Sequence, residues 1–182
     1  MYNLGDRKGF TLIELLVVIT IIAILSAVGV TVYSGVRKSS QTAKRLADMK
    51  AIQMALEVYH SDPVNNSQYP SLPSPGGWRS ECVGWGGYTA DEVIPGLVPK
   101  YLAAMPADPD MNKDENRSCY MYVSDGKDYA LLDHVIAGYS VADYQKHTSF
   151  RDPTRDGGTD GCAFDGTTMW AWKVSSPGGR CW

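Results

Sequence analysis

A single carboxylate, Glu14, stands about one turn inside an apolar run from Phe10 to Val32 that is otherwise interrupted only by Thr11, Thr20, Ser26, Gly29 and Thr31. At the centre of a membrane span a strongly polar group costs on the order of 2.5–3.5 kcal/mol, and less near an end. Such a group calls for a cation in a protein assembly, a route to the headgroups, or a proton. Four cysteines, Cys82, Cys119, Cys162 and Cys181, are the other reactive side chains. None forms a CxxC pair, and with three histidines the usual zinc spacings are absent. Asp108, Asp110, Asn112 and Asp114 alternate like the first oxygen ligands of a calcium loop. The glycine such a loop needs at its sixth position is replaced by Lys113, and its twelfth position is Cys119 where a glutamate belongs. Asp152, Asp156, Asp160 and Asp165 form a second acidic set. Solvated acidic turns are the ordinary reading of both, so no cofactor is expected, and calcium is the ion either set would take. His60, His134 and His147 have no cysteine or serine beside them in a nucleophile motif. No catalytic constellation stands out, and an enzyme is not expected.

The elements that position these residues follow from periodicity. At ~1.5 Å rise per residue the apolar run reaches about 35 Å as a helix, enough to cross a ~30 Å hydrocarbon core. It is longer than the core of a secretory signal and lacks a small-residue cleavage site after it. Met1 to Gly9 form a short polar leader with Arg7 and Lys8 next to the run, which keeps that end cytoplasmic and places the C-terminal part outside. Beyond the run, Val36, Ala43, Leu46, Met49 or Lys50, Ile52, Leu56 and Tyr59 recur at threes and fours, an amphipathic continuation of the same helix. Arg37, Lys38, Lys44, Arg45, Asp48 and Glu57 fall on the solvent side of that pattern. Ser61-Asp62-Pro63 ends it. Gly29 to Gly35 is the expected weak stretch, since glycine costs a helix about 1 kcal/mol relative to alanine.

After Pro63 the chain is rich in Gly, Pro, Asp and aromatics, the composition of a loop-heavy β region. A short helix is expected over Asp91–Tyr101. Strands are expected at Cys119–Val123, Tyr129–Val135 and Thr168–Val174, the first two joined by a turn at Ser124–Lys127. In the last, Trp170, Trp172 and Val174 share one face. The fold class is therefore α+β: a long helix, membrane-spanning in its first half and amphipathic in its second, packed on a small antiparallel sheet. The divisions are a leader at 1–9, a membrane helix at 10–33, its amphipathic continuation at 34–62 and an exported head at 63–182. An even number of cysteines beyond an apolar segment fits two disulfides in an exported domain. Of three possible pairings, Cys82–Cys119 and Cys162–Cys181 are favoured because each closes a Gly- and Pro-rich loop. A net charge of −3 with scattered basic residues argues against general nucleic-acid binding.

Lys8-Gly9-Phe10-Thr11-Leu12-Ile13-Glu14-Leu15-Leu16-Val17-Val18-Ile19 resembles the processing and membrane-anchor motif of type IV prepilins and type II secretion pseudopilins, with the likeness running through about Leu25. The resemblance implies that a prepilin peptidase cuts between Gly9 and Phe10 and methylates the new amine of Phe10. It implies that Glu14 pairs with the Phe10 amine of a neighbouring copy as subunits enter a filament. The implied partners are copies of the chain, the prepilin peptidase/N-methyltransferase, an inner-membrane platform protein and an assembly ATPase. The implied location is the inner membrane, followed by a filament outside the cytoplasm. Asp108-Pro109-Asp110-Met111 stands where the secretion-type major subunit tends to show Asp-Pro-Trp-Gly, which favours a pilus subunit over a secretion or DNA-uptake pseudopilin. A membrane-anchored binding module that never polymerises is the alternative from another class.

Overall fold

The computed structural model describes residues 9–73, 77–156, 161–162 and 168–182, with backbone alone over 28–32. Helix α1 runs Leu12–Ser61. Its contacts divide the chain into two compact units, 1–42 and 43–182, so the helix contributes to both. The backbone stays helical through Gly29–Gly35.

In the first unit the apolar side chains have no cover. Phe10 is 89% exposed, Leu12 88% and Ile13 71%, and every large apolar residue from Leu15 to Leu25 is exposed too. Among the described residues no helix is long and apolar enough to cross a membrane. The expected span over 10–33 passes through 28–32, which lie outside the residues described at side-chain level.

The second unit has a core of its own. Met49, Ile52, Ala55 and Leu56 are buried on one face of α1, with Leu46 and Tyr59 half-buried beside them. Helix α1 stops at Ser61 because Pro63 offers no N–H and holds Asp62 in an extended conformation; the Asp62 carboxylate then caps the turn at Val64. Four antiparallel strands form one sheet in the order β1-β2-β3-β4: β1 Arg79–Ser80, β2 Cys119–Ser124, β3 Tyr129–His134 and β4 Ala171–Ser175. Cys119 lies opposite His134 and Ser124 opposite Tyr129, while β4 pairs Ala171 with His134 and Ser175 with Ala130. One sheet face presents Tyr120, Tyr122, Tyr129, Leu131, Trp172 and Val174 to the same core as the buried face of α1. The other packs Met121, Leu132 and Ala171 under Trp78, Trp85 and Trp170.

Several expectations change. Only Ala90–Val93 is helical within the stretch expected over Asp91–Tyr101, as helix α2, started by a Thr89–Glu92 capping box. Pro95 forces Ile94 into an extended conformation and Gly96 takes a positive φ, so the helix cannot continue. Helix α3, Val141–Gln145, and strand β1 had no sequence signal, being two to five residues long. Trp170 and Trp172 belong to opposite faces, because the strand begins at Ala171 and the alternation does not reach back to Trp170. Arg45, placed on the solvent side by its charge, is fully buried.

Leu56 has no solvent exposure, whereas Val58, two residues on, is 55% exposed. Leu56→Ala should cost roughly 2–5 kcal/mol in denaturant unfolding, as buried leucine truncations do, and Val58→Ala about 0.5 kcal/mol or less.

Candidate functional site

The N-terminal site is built at the first turn of α1. Thr11 sits just before the first helical residue. Glu14 Oε2 accepts from the Thr11 N–H at 2.8 Å and from the Thr11 hydroxyl at 2.7 Å, and the Glu14 N–H donates to Thr11 Oγ1 at 3.3 Å. This is a reciprocal capping box, with the carboxylate also placed at the positive end of the helix dipole. Both bonds fall on Oε2, and among the described residues Oε1 has no donor, so its lone pairs are open to another. Thr20 turns its hydroxyl inward to the carbonyls of Leu16 and Val17 at 3.0 and 2.7 Å. Thr11 and Thr20 are thus satisfied within the helix itself, beside an apolar surface that is exposed from Phe10 to Leu25. A contiguous apolar surface of this kind marks a protein or membrane contact. Around Gly9 there is open space: a Cβ built there meets nothing within 4 Å.

In the head, the acidic residues singled out by their spacing serve a buried arginine. Arg45 Nε donates to Asp108 Oδ2 at 2.5 Å and Nη2 to Asp108 Oδ1 at 3.0 Å, a two-pronged pair with neither side chain exposed. Nη2 also reaches Asp110 at 2.7 Å, and Nη1 donates to the Tyr139 hydroxyl at 3.2 Å. Asn112 is bridged to Arg117, and its Oδ1 accepts from the Glu115 N–H. Asp114 is exposed. The four candidate ligands are therefore not gathered about one point. Of the second acidic set, Asp152 is buried and paired with Arg155, and Asp160 and Asp165 lie outside the described residues. Among the described residues no group of three or more His, Cys, Asp or Glu is arranged to hold a metal.

Asp133, on β3, completes the charged cluster. Its carboxyl is fully buried and has no hydrogen-bond partner among the described residues; Arg45 Nε is 3.7 Å away. Burial, then the negative charge of Asp108, push its pKa well above the usual carboxylate range, with Arg45 opposing. The sequence signal for this cluster lies in spacing, not charge. Arg45 precedes Met49, Ile52 and Leu56 by helical steps, and Asp133 continues the inward series Tyr129, Leu131. The cysteines are bridged Cys82–Cys119 and Cys162–Cys181. The histidines act as packing groups: His60 stacks on Tyr69, His147 meets Trp172 edge-on, and His134 lies between Trp85 and Trp170.

Residues 5–30 match the family described as prokaryotic N-terminal methylation motif, the stretch that contains Gly9, Phe10 and the Glu14 cap. The chain is 35% identical over 65 residues to type II secretion system core protein G of Klebsiella pneumoniae, covering 36% of this chain and 44% of that protein. It is 27% identical over 139 residues to the core protein G of Vibrio cholerae, covering 69% and 77%. A fimbrial protein of Neisseria meningitidis is 31% identical over 99 residues, covering 54% and 56%. The chain is homologous to the secretion pseudopilin G and to a fimbrial protein. It spans less than half the length of the first curated relatives it matches. No solved structure matches it significantly. A long helix beside a small antiparallel sheet with disulfides is a pilin-like α+β fold.

Two variants test the charged core. Arg45→Met leaves Asp108 buried without its cation and should cost about 3–5 kcal/mol in unfolding free energy. Asp133 holds a proton more tightly folded than unfolded. Its contribution to stability is therefore complete below the unfolded pKa, roughly 3.9, and is lost as pH rises towards the folded value. Asp133→Asn removes that loss, so in denaturant titrations from pH 4 to 7 the variant should gain on the wild type as pH rises; parallel curves would show that Asp133 does not titrate this way.

Proposed function

We propose that this chain is a structural subunit of a type IV pilus-like filament. It is cut by prepilin peptidase between Gly9 and Phe10, N-methylated at Phe10 and assembled through the N-terminal segment of α1. The observation that carries this is the coincidence of the methylation motif with an uncovered apolar helix surface bearing one carboxylate. On this reading the apolar surface is covered first by the inner membrane, which the chain crosses once, and then by the helices of neighbouring copies. Glu14 Oε1 accepts from the Phe10 amine of a neighbour. The platform protein and assembly ATPase supply the driving machinery, and the chain itself performs no catalysis.

A secretion pseudopilin is the second reading, favoured by the homology to core protein G. The departure from Asp-Pro-Trp-Gly at Asp108-Pro109-Asp110 does not weigh against it, because both carboxylates are occupied by Arg45. The two readings share processing and polymerisation and differ in the machinery served.

Intact mass and N-terminal sequencing of the protein from cells with the assembly machinery should find a chain beginning at N-methylated Phe10. Gly9→Leu should block cleavage without altering the fold, since the side chain enters open space. Glu14→Gln should be cleaved and yet fail to enter filaments. A chain still beginning at Met1 beside an active peptidase, with no filaments, would leave the non-polymerising anchored module as the better account; normal filaments from Glu14→Gln would overturn the pairing of Glu14 with the Phe10 amine.

A further inference from the structure

The head has a groove of about 770 Å³ between α1 and β4, and its charge is one-sided. Among the described residues that line it are Lys50, Arg151, Lys173 and Arg180 with apolar Leu46 and Val174, and no aspartate or glutamate, in a chain whose net charge is −3. Lys173 is buried in the wall, donating to the carbonyls of Arg180 and Trp182 at 2.7 Å, with Asp152 3.6 Å behind it. Burial holds the Lys173 pKa down at about 8. Arg151 Nε is buried with no hydrogen-bond partner among the described residues, an orphaned donor of the kind that a folded chain rarely leaves unless something else supplies the acceptor. Lys50 is exposed, with Nζ 3.1 Å from Gln53.

At the other edge of the sheet the imbalance is reversed. Most acids of the head are held by a cation, a hydroxyl or a helix cap of their own chain. Asp114 and Glu115 are the adjacent pair that is not: Asp114 is exposed with no partner among the described residues, and Glu115, also exposed, has only a 3.8 Å contact with Arg117. Their turn is held rigidly on the β1 side. The Val83 N–H donates to the Lys113 carbonyl at 3.1 Å, the Gly84 N–H donates to Asn116 Oδ1, and Asn112 and Arg117 are bridged.

We infer that the Asp114–Glu115 turn of one copy docks in the Lys50–Arg151 groove of the next. The inference rests on the filament reading above and adds the contact between heads. Two different, complementary patches at opposite edges of one sheet make a heterologous contact, which adds copies head to tail and generates an open helix where the rotation does not close. An isologous pairing would place groove against groove and repel. The apolar floor of the groove and its size suit a turn of several residues better than a single small anion.

The test uses the full chain and three variants in filament-forming cells: Lys50→Glu, the double variant Asp114→Lys/Glu115→Lys, and the combination of all three. Each reversal alone should lower filament yield at least about tenfold at moderate salt, because like charges facing across an interface cost several kcal/mol. The combination, which restores one opposite-charge pair at residue 50 while Arg151 and Arg180 stay cationic, should recover part of it, to a yield clearly above that of the Asp114→Lys/Glu115→Lys variant. Carbodiimide treatment of filaments grown from mixed ¹⁴N and ¹⁵N subunits should join Lys50 Nζ to Asp114 or Glu115 in peptides carrying one light and one heavy half. Wild-type yield from both reversals while Glu14→Gln still fails would overturn the docking and leave the filament reading standing. Absence of filaments from the wild-type chain beside an active assembly machinery would instead count against the filament reading. Loss of yield without recovery in the combined variant, or cross-links only within one isotope, would also reject this docking. Recovery of each variant from the membrane as an N-methylated subunit with both disulfides formed and a protease-resistant head excludes misfolding as the cause.

Discussion

The head depends on one buried ion pair. Arg45 projects from the face of α1 that also carries Met49, Ile52 and Leu56, and it meets Asp108 in a two-pronged pair closed to solvent. Taking both charges out of water is expensive, and only good geometry with further hydrogen bonds offsets it. Here Asp110 and Tyr139 complete the guanidinium, and the Asp110 N–H donates to Asp108 Oδ1 at 2.7 Å. The net gain in stability over an apolar pair is small, so the value of the arrangement lies in position. A leucine at residue 45 would pack in several ways; a guanidinium with three acceptors fixes the rotation of α1 and the path of the segment around Asp108. That segment leads directly to Cys119 at the start of β2, which is tied to Cys82 near β1. The ion pair and the disulfide thus fix the loop between them at both ends.

The interface between helix and sheet extends the same pattern. Tyrosines rather than aliphatics dominate the sheet face, and their hydroxyls end on acceptors at the rim of the core. Tyr120 donates to Asp48, Tyr129 and Tyr69 to Glu57, and Tyr122 to the Pro70 carbonyl. Asp48 and Glu57 therefore flank the apolar stripe of α1 as anchors for the sheet. Burial beside those carboxylates raises the pKa of Tyr120 and Tyr129 above the ordinary phenol range, which keeps them as donors. Rings fill volume while their hydroxyls set register, so a head with few long aliphatics still has a single packing.

Long periodic elements were legible in the sequence, and short ones were not. The end of α1 at Ser61 could be read from Pro63, and the β2–β3 hairpin from its alternation and its turn. Strand β1 has two residues and α2 four, too few for any period to show. Arg45 was misplaced because charge was weighed above spacing: steps of four, three and four from residue 45 lead through Met49 and Ile52 to Leu56. Asp108 and Asp110 looked like ligands because oxygen spacing in sequence does not reveal a guanidinium sixty-three residues away. Glu14 was conspicuous as a charge in an apolar run, whereas its capping partner Thr11 was visible only as an interruption of that run.

On the proposed filament reading, the two units divide the work of assembly. The head buries most of its large apolar residues and leaves only single ones such as Val58 and Val83 exposed. The N-terminal segment covers none, and burying side chains such as its leucines and isoleucines from water is worth about 1.5–3 kcal/mol each. That large quantity does not by itself favour a filament, because lipid tails cover the same side chains equally well and apolar helices gain little hydrophobic free energy by leaving a bilayer for one another. The group that distinguishes the two surroundings is the carboxylate. Among the described residues Glu14 has Thr11 on one oxygen and no partner on the other; on the proposed reading, a neighbouring copy cut after Gly9 brings a cationic Phe10 amine to that second oxygen. On the filament reading, a polar residue that is costly in the membrane becomes the one that favours leaving it, and cleavage, by exposing the amine, sets when that preference takes effect.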